Sequence, residues 1–222
     1  MKPQRVLTLV HKGLEPPDEA PPQDKATAEW RMEYDVVQTL RALGHELRVI
    51  GVHDDLTPIK SSIEEFKPSI VFNLMEAFND VVVFDQNVVS YLELLKMPYT
   101  GCNPRGLTLS RDKALAKKLM AYHRIPVPDF LVVPLGRKVS LPKRLKFPLI
   151  VKSLTYESST GISQASVVEN DDQLAKRVQF IHDAIQTPAI VEQFIDGREL
   201  YVGVMGNDRL QVFPVWEMSF SK

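Results

Sequence analysis

Three short apolar runs, Arg5–Val10, Glu46–Val52 and Ser69–Leu74, are each followed by a stretch of helical periodicity. That alternation constrains the fold more than any other feature. Strands separated by helices pair in parallel through right-handed crossovers. The near-continuous third run suits a sheet covered on both faces. Between the first two runs lies a loop with Pro16, Pro17, Pro21 and Pro22, then a predicted helix over Asp24–Leu43. Met32, Val36, Leu40 and Leu43 share one face of that helix, with Trp30 and Val37 beside it, and Gly44 stops it as a left-handed cap does. Further helices are predicted over Thr57–Phe66, ended by Pro68, and over Val81–Leu95, closed by Pro98. Residues 1–97 therefore read as an open α/β layer domain, and the helix over 81–95 is apolar enough to offer a homodimer contact.

The second half changes rhythm. A helix is predicted over Arg111–His123 with Ser110 as its cap, and strands over Phe130–Val133, Pro148–Lys152 and Ile162–Val168. A helix over Asp171–Ala184 carries Leu174, Val178 and Ile181 on one face, and strands follow over Ala189–Phe194, Glu199–Met205 and Gln211–Trp216. Runs of strands with helices to one side read as an α+β domain. The sequence stops just after a strand, which would leave an unpaired edge, so a longer parent protein is expected.

A formal net charge of -1 argues against nucleic acid or an anionic membrane as partner. The single Cys102 cannot staple a fold and has no nearby histidine to activate it, so it reads as a small buried apolar residue in a reducing cytoplasm. The N-terminal apolar stretch is too short for a signal peptide, and no run approaches the roughly 20 residues of a membrane helix. His11, His45, His53, His123 and His182 are scattered without metal-ligand spacing and read as structural or surface residues, so no metal ligands are assigned.

Several features of the second half suit a triphosphate. Lys152 ends an apolar strand, and Glu157-Ser158-Ser159-Thr160-Gly161 follows, with hydroxyls and a glycine able to approach phosphate oxygens. It lacks the P-loop order, and an exposed hairpin with a solvated lysine has the same pattern. In Val191-Glu192-Gln193-Phe194-Ile195-Asp196-Gly197-Arg198-Glu199 an apolar strand runs into one acid and a tight turn leads to another. One carboxylate can accept an exocyclic amine and the other two ribose hydroxyls, although a hairpin with solvated acids reads alike. Lys113 lies in a first helical turn, a poor place for a cation without an anion nearby, or else it is a solvated surface lysine. Pro98-Tyr99-Thr100-Gly101-Cys102-Asn103 reads as a hinge.

The order of these blocks resembles the D-alanine–D-alanine ligase branch of the ATP-grasp superfamily. It runs from Pro98–Cys102 through Ser110–Lys113, Ile125–Pro128, Pro148–Lys152 and Glu157–Ile162 to Val191–Glu199, and covers roughly residues 98–205. The resemblance implies an open parallel-sheet domain (1–97), an ATP-grasp small lobe (98–188) and the start of a large lobe (189–222), incomplete at the C-terminus. It implies Lys113 and Lys152 on the α- and β-phosphates of ATP, and Ser158, Ser159 and Gly161 in a phosphate lid. Glu192, Gln193, Phe194 and Ile195 would form the adenine hinge, and Glu199 would hold the ribose. It implies an ADP-forming ligase that joins an amino acid or related carboxylate to an amine through an acyl phosphate, with Mg2+ whose ligands are expected beyond Lys222.

Departures fall at strand C-termini, where open α/β sheets bind ligands. The family's glycine-rich stretch and helix-start glutamate after the first strand are replaced by His11-Lys12-Gly13-Leu14-Glu15-Pro16-Pro17. Its His-Gly pair after the third is replaced by Met75-Glu76-Ala77-Phe78-Asn79-Asp80. These changes put D-alanine itself in question as first substrate. Two other readings stand beside the ligase: a non-catalytic ATP-binding or regulatory module, and an α/β binding protein without a nucleotide.

Overall fold

The computed structural model describes residues 2–19, 27–157 and 160–219. The expected alternation is present: β1 (Arg5–His11), α1 (Arg31–Ala42), β2 (Glu46–Val52), α2 (Thr57–Phe66) and β3 (Ile70–Asn73). The strands form a parallel sheet in the order β2-β1-β3. A 3-10 turn over Val82–Phe84 leads into α3 (Asp85–Leu94). Leu7, Leu9, Ile59, Val71, Val88 and Leu92 pack into one core on α2 and α3. Val88, Val89 and Leu92 are buried inside their own layer, while Val83, Phe84 and Leu94 stay exposed.

The helix after the first loop departs from its predicted form. It begins at Arg31, and its expected first residues Asp24, Lys25 and Ala26 lie outside the described residues. Its buried residues are Glu33 and Val37, whereas Met32 and Leu43 are exposed. The predicted apolar face instead lines an open groove of about 660 Å³, where Met32, Val36 and Leu40 meet Phe72 of β3. Periodicity identifies an apolar stripe, but the fold buries the neighbouring stripe with Glu33 and Val37.

The expected hinge is an edge of the first sheet. The Val71 amide donates to the Pro98 carbonyl, and the Thr100 amide donates back to Val71, so Tyr99 pairs in parallel beside β3. Cys102, expected to be buried, is exposed, because it sits in the turn just before the Asn103 cap of α4 (Pro104–Arg111). The helix predicted over Arg111–His123 is broken at Asp112. That residue, not Ser110, caps α5 (Lys113–Tyr122), accepting from the amides of Ala114 and Leu115. The Ser110 hydroxyl donates to the Leu107 carbonyl within α4.

The second half is built on an antiparallel sheet, β4-β7-β5-β6, of β4 (Phe130–Val133), β5 (Leu149–Ser153), β6 (Val167–Val168) and β7 (Ala189–Gln193). β7, expected to open a second lobe, is hydrogen-bonded between β4 and β5. The strand predicted over Ile162–Val168 is interrupted by a 3-10 turn (Gln164–Ser166), boxed by reciprocal Ser163 and Ser166 side-chain bonds, and only Val167–Val168 forms a strand, β6. One helix, α6 (Asp171–Phe180), continues as a π turn over Ile181–Ile185. Leu174, Val178 and Ile181 are buried as expected, against Leu149, Val151 and Val191. Beyond β7 the chain forms two ribbons, β8 (Glu199–Tyr201) with β11 (Trp216–Met218) and β9 (Val204–Met205) with β10 (Gln211–Val212). No helix is long and apolar enough to cross a membrane.

Arg111 joins the two halves. Its guanidinium donates to Asp85 Oδ2 through Nε (3.0 Å) and Nη2 (2.6 Å), and Nη2 also donates to the Glu76 carbonyl at 3.1 Å. Its Nη1 lies 3.4 Å from Glu157. Asp85 is 3% exposed and Arg111 12%, so the pair is poorly screened. Removing one partner of such a pair strands the other charge. Asp85→Ala should lower the unfolding free energy by about 3 kcal/mol in urea titration, with Asp85→Asn losing less.

Candidate functional site

The cleft forms where α5, β5 and β7 meet. β5 and β7 pair antiparallel with Ile150 opposite Glu192, which brings Lys152 close to the Glu192 carboxylate. Lys152 Nζ lies 2.5 Å from Glu192 Oε1. The other carboxylate oxygen lies 2.7 Å from Lys117 Nζ. Lys117 was not singled out in the sequence. Its signal was present: four residues after Lys113 and on the same helical face.

Glu192 is 4% exposed. Burial pushes its carboxyl up, but the bonds and charges of Lys117 and Lys152 outweigh burial and hold it below the ordinary value. Lys113, the first residue of α5, donates from Nζ to the Tyr156 carbonyl at 2.5 Å. Burial lowers its pKa; Lys152 and Arg111 add to the fall, while Glu157 and Glu192 oppose it. Ammonium groups from two elements thus crowd one buried carboxylate, an arrangement with spare positive potential for an anion.

Beside this cluster is a cavity of about 720 Å³, lined by Lys117, Lys152, Glu192, the segment Gln193–Ile195 and Glu199. That volume is within the usual range for small-molecule and cofactor sites, roughly 300–1,000 Å³. The amides of Gln193 and Phe194 are used inside the protein, donating to the carbonyls of Asp129 and Pro148. Past them the chain leaves the sheet at the exposed Ile195 and returns along β8 with Glu199. Glu217 of β11 lines the same cavity and lies 3.5 Å from Arg198.

Of the residues predicted from sequence, Lys152, Glu192, Gln193, Phe194, Ile195 and Glu199 share this cavity, and Lys113 is coupled to it through Lys152 and Glu192. Gly161 is not in its wall. It takes a left-handed φ of +70°, its carbonyl accepts from Arg177, and a β-carbon there would press on Ile185. Ser158 and Ser159 lie outside the described residues.

A second cavity, about 420 Å³, lies between the two halves at the C-terminal ends of β1 and β3, with His11, Glu33, Glu76, Arg111 and Glu157 among its walls. Glu33 stands in the first turn of α1, so a helix-start carboxylate is present after all, displaced along the chain by the proline-rich loop. Its Oε2 is buried without a hydrogen-bond partner among the described residues. Burial raises its pKa, a backbone bond opposes this, and Glu76 adds to it.

An antiparallel sheet thus presents lysines and a buried glutamate to a cavity of about 720 Å³, preceded in the chain by a parallel α/β layer. A family model described as "D-ala D-ala ligase C-terminus" matches residues 119–222. Among curated relatives, an uncharacterized protein y4sG of Sinorhizobium fredii is 31% identical over 86% of this chain and 57% of its own length. A D-alanine–D-alanine ligase of Desulfotalea psychrophila is 36% identical over 60% of this chain and 42% of its own. The chain thus spans about half the length of the curated relatives it matches. The solved D-alanine–D-alanine ligase of Bacillus anthracis complexed with ATP superposes with a TM-score of 0.72 at 17% identity, over 98% of this chain and 67% of that one. The ligase of Coxiella burnetii gives 0.66 at 20%, over 96% and 70%. Over residues 119–222 the chain matches the D-alanine–D-alanine ligase C-terminal family, and its fold is that of the solved D-alanine–D-alanine ligases.

Glu192 gives the site a pH signature. Its folded pKa lies below the ordinary 4.5, so the stability it confers is present above 4.5 and is lost as pH falls through the lower folded value. Glu192→Gln should cost about 2 kcal/mol of stability at pH 7. In denaturant titrations at stepped pH, the gap between wild type and variant should narrow below pH 4.5. A gap that widens on acidification would contradict the assignment.

Proposed function

We propose that the 720 Å³ cavity binds ATP and that the protein serves an ADP-forming carboxylate–amine ligation. The observation that carries this reading is the convergence of Lys152 and Lys117 on Glu192 at the wall that also holds Gln193–Ile195 and Glu199. The residues suit a nucleoside triphosphate. Lys152 and Lys113 are fixed cations for phosphate oxygens, and Glu192 can accept from an exocyclic amine. Glu199 offers two acceptor oxygens to ribose hydroxyls. ATP bound there would supply the phosphoryl group that activates a carboxylate, and Mg2+ would accompany it. The chain's own part is to bind, orient and neutralise charge, the largest contributions in phosphoryl transfer. The acids around the 420 Å³ cavity suit an ammonium-bearing substrate, with Glu33 as its buried acceptor and Arg111 nearby for a carboxylate. D-alanine appears in the names of the ligase relatives. The loss of the family's residues after β1 and β3 leaves room for a different amino acid here.

Mg-ATP should raise the melting temperature of this chain, and Lys152→Ala with Glu199→Gln should abolish the rise in differential scanning fluorimetry. Equal responses from wild type and double variant would place the nucleotide elsewhere. In the whole protein, turnover with an amino-acid pair should release ADP and phosphate. Release of AMP would refute this chemistry.

A further inference from the structure

We propose that His11, His53 and Asp80 form a binding site for a divalent transition-metal ion of the zinc class. The residues stand far apart in sequence, but each follows or ends a strand of the parallel sheet: His11 closes β1, His53 follows β2, and Asp80 lies in the turn after β3. The fold gathers them at one sheet end. A ring nitrogen from each histidine and a carboxylate oxygen all lie within 4.8 Å of one another. His53 Nε2 is 3.0 Å from Asp80 Oδ2, and His11 Nε2 is 3.5 Å from Asp80 Oδ1. Ligands about 2.0–2.1 Å from a tetrahedral zinc ion are separated by about 3.3 Å, so the two histidine–carboxylate spacings are already close to those of a bound ion.

The surroundings orient the donors as metal sites require. His11 Nδ1 lies 3.1 Å from the Lys12 carbonyl, and His53 Nδ1 lies 3.4 Å from Asp54 Oδ1. With an ion bound, each ring would keep its proton on Nδ1, donating it to the Lys12 carbonyl or the Asp54 carboxylate, and would turn the Nε2 lone pair to the metal in place of the Nε2–Asp80 contact. A second acceptor of this kind behind each ligating imidazole is the usual partner arrangement of a metal-bound histidine. The rings stand edge to face, with centroids 5.4 Å apart and planes at 84°, so both can point at a shared centre.

Asp80 is held in place at some conformational cost. Asn79 and Asp80 have φ of 51° and 58°, consecutive left-handed residues without a glycine. The turn is closed by the Val81 amide donating to the Phe78 carbonyl and anchored by the Asn79 amide donating to the His53 carbonyl at 2.7 Å. Two imidazoles and a carboxylate with an open fourth position suit Zn2+, Co2+ or Ni2+ better than Mg2+ or Ca2+, which prefer all-oxygen sites. An ion there would clip three strand–helix connections together. His11 also belongs to the wall of the 420 Å³ cavity, so the ion would sit at that cavity's rim.

The test is titration of the metal-stripped chain with Co2+, followed by visible absorption, and with Zn2+ against a chromogenic chelator. We expect one equivalent bound, with Co2+ d–d bands and a higher melting temperature in Zn2+. Binding should disappear in His11→Ala, His53→Ala and Asp80→Asn, and Asp54→Asn should weaken it about tenfold or more. Far-UV circular dichroism checks folding, and a histidine-to-glutamine variant replaces any alanine variant that fails to fold. His53→Ala and Asp80→Asn should keep the wild-type melting shift with Mg-ATP, separating this site from the nucleotide cleft. Substoichiometric binding, or binding that survives in any of the three ligand variants, overturns the site.

Discussion

The cleft depends on one buried carboxylate. Glu192 sits in the middle of a four-stranded sheet, and burial alone would drive it neutral. Lys117 from α5 and Lys152 from β5 keep it ionised. The cost of burying the acid thereby holds two cations at one wall of a cavity. Helix, strand and cleft chemistry are tied by the same pair of contacts, because Lys152 reaches Glu192 through the β5–β7 pairing and Lys117 reaches it from α5. Asp112 makes that placement possible: by capping α5 it starts a new helix at Lys113 instead of continuing α4.

Arg111 is the counterpart between the halves. It is the last residue of α4, and its guanidinium reaches the first turn of α3, the loop after β3 and Glu157. Its planar fork spans three acceptors, which a lysine could not do. The second cavity lies beneath this junction, with buried Glu33 in its wall. The larger departures from the family pattern, after β1 and β3, are concentrated around that cavity. The two cavities therefore differ in how far family resemblance can inform them.

Much of the fold was legible from local pattern. The strands at Arg5, Glu46 and Phe130 and the helix over Thr57–Phe66 fall where periodicity and punctuation put them. Failures have physical causes. The stripe on α1 was read by hydrophobicity, but the sheet buries Glu33 and Val37, and a polar residue at a core position carries no periodic signal. The break at Asp112 was missed because an acid within a helical pattern reads as surface until its side chain is seen capping amides. Cys102 was assigned to the interior from its residue type, yet its place in a turn before a helix cap exposes it.

The sequence by itself determined the alternation of the first layer and the order of the blocks around the cleft. It also determined the residue types able to meet a triphosphate, since these are properties of short segments read one at a time. Only the tertiary structure decided that Lys117 joins Lys152 on Glu192, that Glu33 is buried in the first turn of α1, and that His11, His53 and Asp80 meet. For His11, His53 and Asp80, parallel strands explain the difference. Each crossover returns the chain to the same sheet end, so residues dozens of positions apart become neighbours, and no spacing rule along the chain encodes that return.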